Sequence, residues 1–409
     1  MERRIFERFD ITLFLAIVAL IIIGIFAIFS ATQSNPVTAD YYLKQMTFAI
    51  IGLVMVVVVS FVPPRYISSI SYYLYGFSLV LLVLVLIFGK TINGNKSWFY
   101  IAGFGIQPSE FAKVATVLAI ANFFYKGDED NLKIIPFDIF KALMFVLIPA
   151  VLVKLENDTG TTLVMLSFFI PMFFWAGVSP FLLYAVITPV FAVVLAFINF
   201  YFFVAYCIVI LISLFFFKKH WIQSLIVIVL NIISGLSVSY LFSKLQPYQQ
   251  NRIKAVFDPS SDPLGSGYNV IQSKVAIGSG GLWGKGYMQG SQTQLRFIPE
   301  QWTDFIFCMV GEEFGFFGTM VILILFIIVI FRMLNNAYYS KNRFLSLACI
   351  GFGSIFFFHM FINIGMTIGI TPVIGIPLPL VSNGVSSLLS FLLMVGIAMN
   401  TYRHKDIFL

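Results

Sequence analysis

The sequence predicts an all-α integral membrane protein, a polytopic bundle of about twelve transmembrane helices. Of its 409 residues, 60% are hydrophobic and only 11% are charged, and the mean hydropathy is +0.96. This composition is far more apolar than that of a soluble domain. Because hydrocarbon offers backbone groups no partners, a chain crosses the ~30 Å core as helices of about 20 apolar residues. Windows of that length therefore locate the spans.

Twelve windows meet this requirement. They lie near residues 10–30, 45–62, 70–89, 108–125, 137–153, 159–177, 181–198, 200–217, 221–243, 304–331, 344–362 and 386–402. The pair at 181–217 is the weakest, because residues 198–203 form only a short apolar turn, so ten or eleven spans remain open. The windows indicate a single membrane domain over residues 1–409, with a long loop at 244–303.

Basic residues in the short loops predict the orientation, because Lys and Arg collect on the cytoplasmic side. An inward N-terminus and C-terminus fit best and put the 244–303 loop outside. The residues assigned to the inner side are Arg3, Arg4, Arg8, Arg65, Lys126, Lys133, Lys218, Lys219, Arg332, Lys341, Arg343, Arg403 and Lys405. They stand singly at helix ends, so the net charge of +7 indicates membrane orientation rather than nucleic-acid binding.

An ionisable side chain at membrane depth raises the free energy of membrane insertion by roughly 2.5 to 3.5 kcal/mol. Each one is therefore expected to have an ion-pair partner, contact with water or a functional role. The first such cluster, residues 107–113, opens the fourth span. Its Glu110 and Lys113 share a helix face at i and i+3. One interpretation is an ion pair that lowers the insertion cost of both residues. The other is a polar wall of a substrate cavity, with Lys113 near an anionic group.

A second cluster, residues 158–162, begins the sixth span. Asp158 there is expected to cap free N–H groups and to complement the helix dipole. Contact with a metal or a substrate is the alternative.

The third cluster lies in the long outer loop. It combines Arg252, Lys274 and Lys285 with the glycine-rich run at 277–286. Such glycine density permits positive φ angles and close backbone approach. The cluster is either a flexible loop or an anion-binding surface, and no strand precedes it as a nucleotide loop would require.

The fourth cluster, residues 297–307, carries the richest set of acids. Glu300 and Asp304 lie within it, and Glu312 and Glu313 follow one to two helical turns later. From the residues alone, Asp304 is equally a helix cap or a catalytic carboxylate. His359 stands mid-span without a second histidine nearby and is interpreted as a core residue.

The sequence shows no cysteine cluster that is typical of a metal site. Cys207, Cys308 and Cys349 lie in apolar windows without CxxC spacing, which predicts neither a disulfide framework nor a zinc site.

Three segments resemble the signature of the SEDS family (shape, elongation, division, sporulation), and within it the RodA type. They are GYNVIQSKVAIGSGGLWGKGYMQGSQTQLRFIPEQWTDFIFCMVGEEFGFFG at 267–318, GFGIQPSEFAK at 103–113 and NIGMTIGITPVIGIPLPLVSNG at 363–384. The resemblance covers most of the chain apart from residues 180–243. It implies a peptidoglycan glycosyltransferase that polymerises lipid II on the outer face of the bacterial cytoplasmic membrane during cell elongation. A class B penicillin-binding protein, the crosslinking transpeptidase, is the implied partner.

The resemblance also implies roles for residues. The family's essential aspartate lies in the TDFIF motif, which makes Asp304 the expected general base of an inverting transfer, an effect typically worth ~10² to 10⁴ in rate. Lys113, Arg252 and Lys274 are the expected cations for the undecaprenyl pyrophosphate leaving group. Glu110, Glu300 and Asp158 complete the expected substrate contacts. A divalent cation, magnesium or manganese, is expected at a site that remains unknown.

Several positions depart from the family pattern. Ser97 stands where an Arg precedes Trp98, with Lys96 as a potential substitute, and the QPD-x-G motif becomes Glu156 to Gly160. The S-Y-G-G-S motif reads Ser382, Asn383, Gly384, Val385, Ser386. Family members typically have ten spans, so residues 180–243 are predicted to hold an extra transmembrane hairpin.

Three other functions stay open. A lipid II flippase or transporter would also place polar groups in a helical bundle, but along a path at many depths, whereas these clusters concentrate on the predicted outer half. An FtsW-like division polymerase is the closer alternative, and the IGIPLPLVS and loop segments favour the RodA type. A non-catalytic scaffold is a third.

Overall fold

The computed structural model describes residues 8–406 apart from 34–35, 37, 93, 102–103, 126–135, 218–220 and 262–264. The basic residues Arg3, Arg4, Lys126, Lys133, Lys218 and Lys219 therefore lie outside the described part. Two compact units divide the chain. Unit 1 is Met1–Met172 with Ala255–Leu409, and unit 2 is Phe173–Lys254.

Helices dominate both units. Unit 1 contains α1 Ile11–Thr32, α2 Tyr41–Phe61, α3 Pro64–Phe88, α4 Pro108–Phe124, α5 Pro136–Leu155, α6 Thr159–Ser167, α13 Ser266–Gly280, α14 Ser291–Gln294, α15 Ile306–Tyr339, α16 Arg343–Ile368 and α17 Val385–Arg403. Unit 2 contains α8 Pro180–Ile198, α9 Phe200–Phe216, α10 Trp221–Leu236 and α11 Val238–Lys244. The two boundaries between the units fall within helices, one in α7 Phe169–Ala176 and the other in α12 Pro247–Phe257.

The predicted fold class is confirmed, and each of the twelve apolar windows contains a helix. Within the described ranges, eight helical segments are long and apolar enough to cross a membrane, with α6 and α7 counted together as Thr159–Ala176. The number is nine if α10 and α11, bent by 49°, form one span. The others are shorter, such as the 17-residue α4 and α9, or carry more charge, as α5 does with Asp138, Lys141 and Lys154. The count of twelve spans stays a prediction.

Helices α16 and α17 form the core of unit 1. In each, 72% of the apolar window is buried, against 28% in α2 and α3. A helix that is apolar all round and enclosed by others is typical of the centre of a bundle. These two helices carry His359, Asn363 and Ser390, so polar side chains there lie among protein atoms.

A small antiparallel sheet lies between α3 and α4, which the apolar windows did not predict. It orders β1 Lys90–Ile92, β2 Asn95–Ile101 and β3 Phe104–Ile106. Lys96 donates from Nζ to Ile87 O at 3.0 Å, near the C-terminus of α3. This contact satisfies a carbonyl at a helix end. Lys96, the potential substitute for the arginine of the family motif, therefore has a structural contact with the end of α3.

The segment 244–303, predicted as a loop, is largely helical. It contains α12, α13, α14 and a 3-10 turn at Pro259–Ser261. Its extracytoplasmic location stays a prediction.

The glycine-rich run packs against a break in α15. The helix is interrupted at Gly315, where φ is +65°. Four backbone hydrogen bonds between the run and α15 satisfy the groups freed there. These bonds are Lys285 N to Glu312 O at 3.0 Å, Gly286 N to Glu313 O at 3.0 Å, Phe316 N to Gly281 O at 2.9 Å and Phe317 N to Leu282 O at 3.2 Å. A Cβ at Gly284 would lie 2.1 Å from Glu313 O. The glycines therefore permit close backbone docking, and the flexible-loop interpretation is wrong for this run.

Unit 2 holds its own polar contacts. Asn231 Nδ2 donates to Thr188 Oγ1 at 3.0 Å, and Tyr206 OH donates to Thr188 O at 3.0 Å. Hydrogen bonds between apolar helices are a common means of association within a membrane. The predicted extra hairpin falls in this unit.

Candidate functional site

Asp304 lies in a turn directly before the break-containing helix α15. The helix begins at Ile306, and its N-cap residue is Phe305, which makes no side-chain capping hydrogen bond. Asp304 therefore lies one residue before the N-cap position of α15. Its side chain is half-buried, and a Cβ added at Gly375 would lie 3.2 Å from Asp304 Oδ2. The carboxylate thus faces the segment that follows α16.

That segment, residues 369–384, and Asn363 of α16 together fix the backbone around Asp304. Asn363 Nδ2 donates to Asp304 O and to Ile376 O, both at 2.8 Å. Ser382 Oγ donates to Thr303 O at 2.6 Å, and Asn383 N donates to Trp302 O at 2.9 Å. The buried Asn363 amide and Ser382 hydroxyl therefore hold the TDFIF motif in place.

Glu300 and Lys274 lie close to the same region. Glu300 is exposed and begins the turn, with its carbonyl accepting from Thr303 N at 3.1 Å. Lys274 is exposed on α13, and a Cβ at Gly369 would lie 2.6 Å from its Nζ. Gly369 is the C-cap of α16, where a cation complements the helix dipole. Lys274 and Asp304 thus contact the same segment, 369–384.

Glu110 and Lys113 form a buried ion pair. Lys113 Nζ lies 2.9 Å from Glu110 Oε2, and the exposed fractions are 0% for Lys113 and 3% for Glu110. Ser390 Oγ donates to Glu110 Oε2 at 3.0 Å. Lys113 Nζ also lies 3.3 Å from His359 Nε2. The ion-pair interpretation is confirmed, and direct contact of either residue with a substrate stays a prediction.

Asp158 caps α6, as predicted from its position. Its Oδ1 accepts from Thr161 N at 2.9 Å, and its Oδ2 accepts from Thr161 Oγ1 at 2.7 Å and from Gln107 Nε2 at 2.8 Å. Burial raises the pKa of Asp158, while the Thr161 hydrogen bonds lower it. Its neighbour Gly160 packs on the 369–384 segment, since a Cβ there would lie 3.1 Å from Ile376 Cγ1. The Asp158 cluster and Asp304 therefore both border that segment.

Glu156 is a buried acid that the sequence did not single out as functional. It has no accessible surface, and neither carboxylate oxygen has a hydrogen-bond partner among the described residues. Burial, and then the charge of Asp158, raise the pKa of Glu156 to about 9. The carboxyl is therefore protonated at neutral pH, which avoids the cost of an unpaired buried charge.

We expect Glu156→Gln to change how stability depends on pH. Folded Glu156 keeps its proton up to about pH 9, whereas the unfolded chain loses it near 4.5. The wild-type free energy of unfolding should therefore fall by up to about 1.4 kcal/mol per pH unit as pH rises through that window. Gln does not titrate, so the variant lacks this pH dependence. The melting temperature of the variant minus that of the wild type should therefore increase as pH rises. Thermal unfolding in detergent across the window measures this, and a constant difference would contradict a protonated Glu156.

The remaining predicted cations have other partners. Arg252 lies in unit 2, with its guanidinium 5.6 Å from the centre of the Tyr248 ring, and its contact with substrate stays a prediction. Lys285 Nζ lies 2.8 Å from Glu312 Oε1 and donates to Ser291 Oγ at 2.9 Å. Glu312 in turn accepts from the backbone of Gln292 and Thr293. Lys285 and Glu312 thus anchor the segment before α15.

A divalent cation has no preformed cluster in this part of the chain. Across the residues that the structure describes, no group of three or more His, Cys, Asp or Glu side chains could hold a metal ion. The oxygen atoms of Asp158 are occupied by three hydrogen bonds. The predicted magnesium or manganese ion stays a prediction.

Comparisons with known proteins cover nearly the whole chain. The family model FTSW_RODA_SPOVE, described as cell cycle protein, matches residues 11–208 and 201–407. The peptidoglycan glycosyltransferase RodA of Treponema pallidum is 35% identical over 96% of this chain and 97% of its own length. The peptidoglycan glycosyltransferase MrdB of Escherichia coli is 34% identical over 97% of this chain and 94% of its own length.

A solved structure agrees in fold. It is a chain from a study of how a peptidoglycan synthase complex coordinates polymerization and crosslinking. The likeness has a TM-score of 0.72 at 26% sequence identity and covers 97% of this chain and 98% of that chain.

Proposed function

Because the chain belongs to the FTSW_RODA_SPOVE family of cell cycle proteins, we propose that this multi-pass membrane protein polymerises lipid II as a peptidoglycan glycosyltransferase of the RodA type. Its product is a glycan strand for cell elongation and rod shape. The observation that carries the proposal is the position of Asp304. It is a half-buried carboxylate in the turn directly before α15, it faces Gly375, and its backbone region is fixed by Asn363 and Ser382.

Asp304 acts as the general base. A sugar hydroxyl of the acceptor is a poor nucleophile, and a carboxylate within hydrogen-bond reach takes its proton as the new bond forms. The hydroxyl oxygen attacks the anomeric carbon of the donor while the bond from that carbon to the diphosphate breaks. One displacement of this kind inverts the configuration at the anomeric carbon. Undecaprenyl diphosphate leaves with the electron pair.

Lys274 stabilises the leaving group. The diphosphate gains negative charge in the transition state, and a cation positioned beside it lowers the barrier. Lys274 is exposed and borders the segment that Asp304 faces, which supports this role. Glu300 contacts the acceptor in this proposal, and its exposure in the same turn as Asp304 supports that role.

A magnesium or manganese ion would enter with the substrate. Magnesium in particular is commonly held by one or two carboxylates together with substrate phosphates. Such a site needs fewer protein ligands than a preformed cluster, and the ion would neutralise charge on the diphosphate.

The reaction takes place on the outer face of the bacterial cytoplasmic membrane, with both termini in the cytoplasm. The partner is a class B penicillin-binding protein that crosslinks the new strands. The solved relative comes from a complex that couples polymerization to crosslinking, which supports such a partner.

Purified protein with fluorescent lipid II tests the proposal. We expect glycan strands on a gel with wild-type protein, and more or longer strands when a class B transpeptidase is added. Lipid II that moves between the leaflets of reconstituted vesicles without forming polymer would favour the flippase alternative instead. The absence of both activities would favour a scaffold.

A further inference from the structure

His359 is held by a different group at each ring nitrogen. Nδ1 lies 3.1 Å from Pro377 O, and Nε2 lies 3.3 Å from Lys113 Nζ. The ring also meets Phe391 edge to face, with the centroids 4.9 Å apart. His359 is 2% exposed, so its ring lies almost entirely among protein atoms.

These partners determine the tautomer. A carbonyl oxygen only accepts, so the nitrogen facing Pro377 O carries the proton. Lysine ammonium only donates, so the nitrogen facing Lys113 is the unprotonated one. His359 is therefore neutral, donating to the backbone on one side and accepting from Lys113 on the other.

Pro377 belongs to the segment that borders Asp304. Next to it, Ile376 O accepts from Asn363 Nδ2, which also donates to Asp304 O. Two residues earlier, Gly375 is the position that Asp304 Oδ2 faces. A continuous series of contacts thus runs from the Glu110–Lys113 ion pair through His359 to the backbone beside Asp304.

We propose that His359 is a positioning residue for the glycosyl transfer: it ties the buried Lys113–Glu110 pair to Pro377 and so fixes the 369–384 segment against which Asp304 lies. This inference rests on the proposed function. It assigns the buried ion pair a task that does not require contact with substrate. Lys113 then serves as the fixed end of this connection, through a side chain with no accessible surface.

Three variants of His359 separate its two contacts. His359→Phe keeps the ring shape and loses both hydrogen bonds. His359→Asn keeps a donor for Pro377 O but is too short to reach Lys113. His359→Gln carries a donor and an acceptor at its end and can serve both partners. A small displacement of reacting groups costs up to about 100-fold in rate, so we expect kcat to fall about 10- to 100-fold in the Phe and Asn variants. KM should change little, and Gln should recover most of the rate.

Lipid II polymerisation by each folded variant gives kcat and KM. His404→Phe is the matched control, because His404 Nδ1 lies 3.1 Å from Asn400 O at the C-terminal end of α17. The activity of this variant should equal wild type. If His359→Phe does not fold, the comparison of Asn with Gln decides. Wild-type kcat in a folded Phe or Asn variant would overturn the inference. If the wild-type protein shows no lipid II polymerisation, that result would instead overturn the proposed function.

Discussion

Asp304→Asn is expected to slow lipid II polymerisation by at least ~100-fold, the lower end of what general-base catalysis contributes. The amide has the size of the carboxylate but cannot accept a proton at neutral pH. The backbone bonds from Asn363 and Ser382 do not involve the Asp304 side chain, so they persist in the variant. Fold, insertion and binding of the transpeptidase should therefore be unchanged. The rate is read from glycan strands formed by purified protein, and folding from thermal unfolding in detergent.

Glu300→Gln is the control for Asp304→Asn. Glu300 lies four residues earlier in the same turn and is exposed, so its replacement removes a nearby negative charge without removing the proposed base. A modest change in KM with kcat within a few-fold of wild type is expected. Near-normal strand synthesis by a folded Asp304→Asn protein would exclude Asp304 as the base and direct attention to Glu300.

Local pattern predicted those features that depend on neighbours along the chain. Apolar windows of the right length located every long helix, because spanning hydrocarbon requires that length. The i and i+3 spacing of Glu110 and Lys113 predicted their ion pair, and the position of Asp158 at a helix start predicted its cap. In each case one helical turn contains both partners.

Contacts between residues that are far apart in sequence were not predicted. Lys113 and His359 are 246 residues apart in sequence, and an apolar window around His359 carries no sign of the contact. The glycine-rich run was interpreted as a loop because its partner, the broken turn of α15 at Gly315, is formed only in the folded protein. Asp304 was assigned correctly to a helix start, but only the backbone geometry shows that Phe305 is the N-cap.

Lys113→Met is expected to destabilise the protein strongly. It leaves Glu110, 3% exposed, without its cation, and removing one partner of a buried pair typically costs about 3 to 5 kcal/mol. The melting temperature in detergent should fall accordingly. Replacing both partners, as Glu110→Gln with Lys113→Met, removes the unpaired charge and should restore most of the lost stability, because buried pairs are often close to neutral in net contribution.

Activity of the double variant separates structure from chemistry. If Lys113 matters only as the partner of Glu110, the double variant regains both stability and polymerisation. If Lys113 fixes His359 and through it the segment beside Asp304, stability returns while kcat stays low, because Met cannot donate to His359 Nε2. If Lys113 contacts the diphosphate directly, KM for lipid II should rise as well. Stability lost equally in the single and double variants would contradict the ion-pair assignment, since the charge left on Glu110 would then not be the cause.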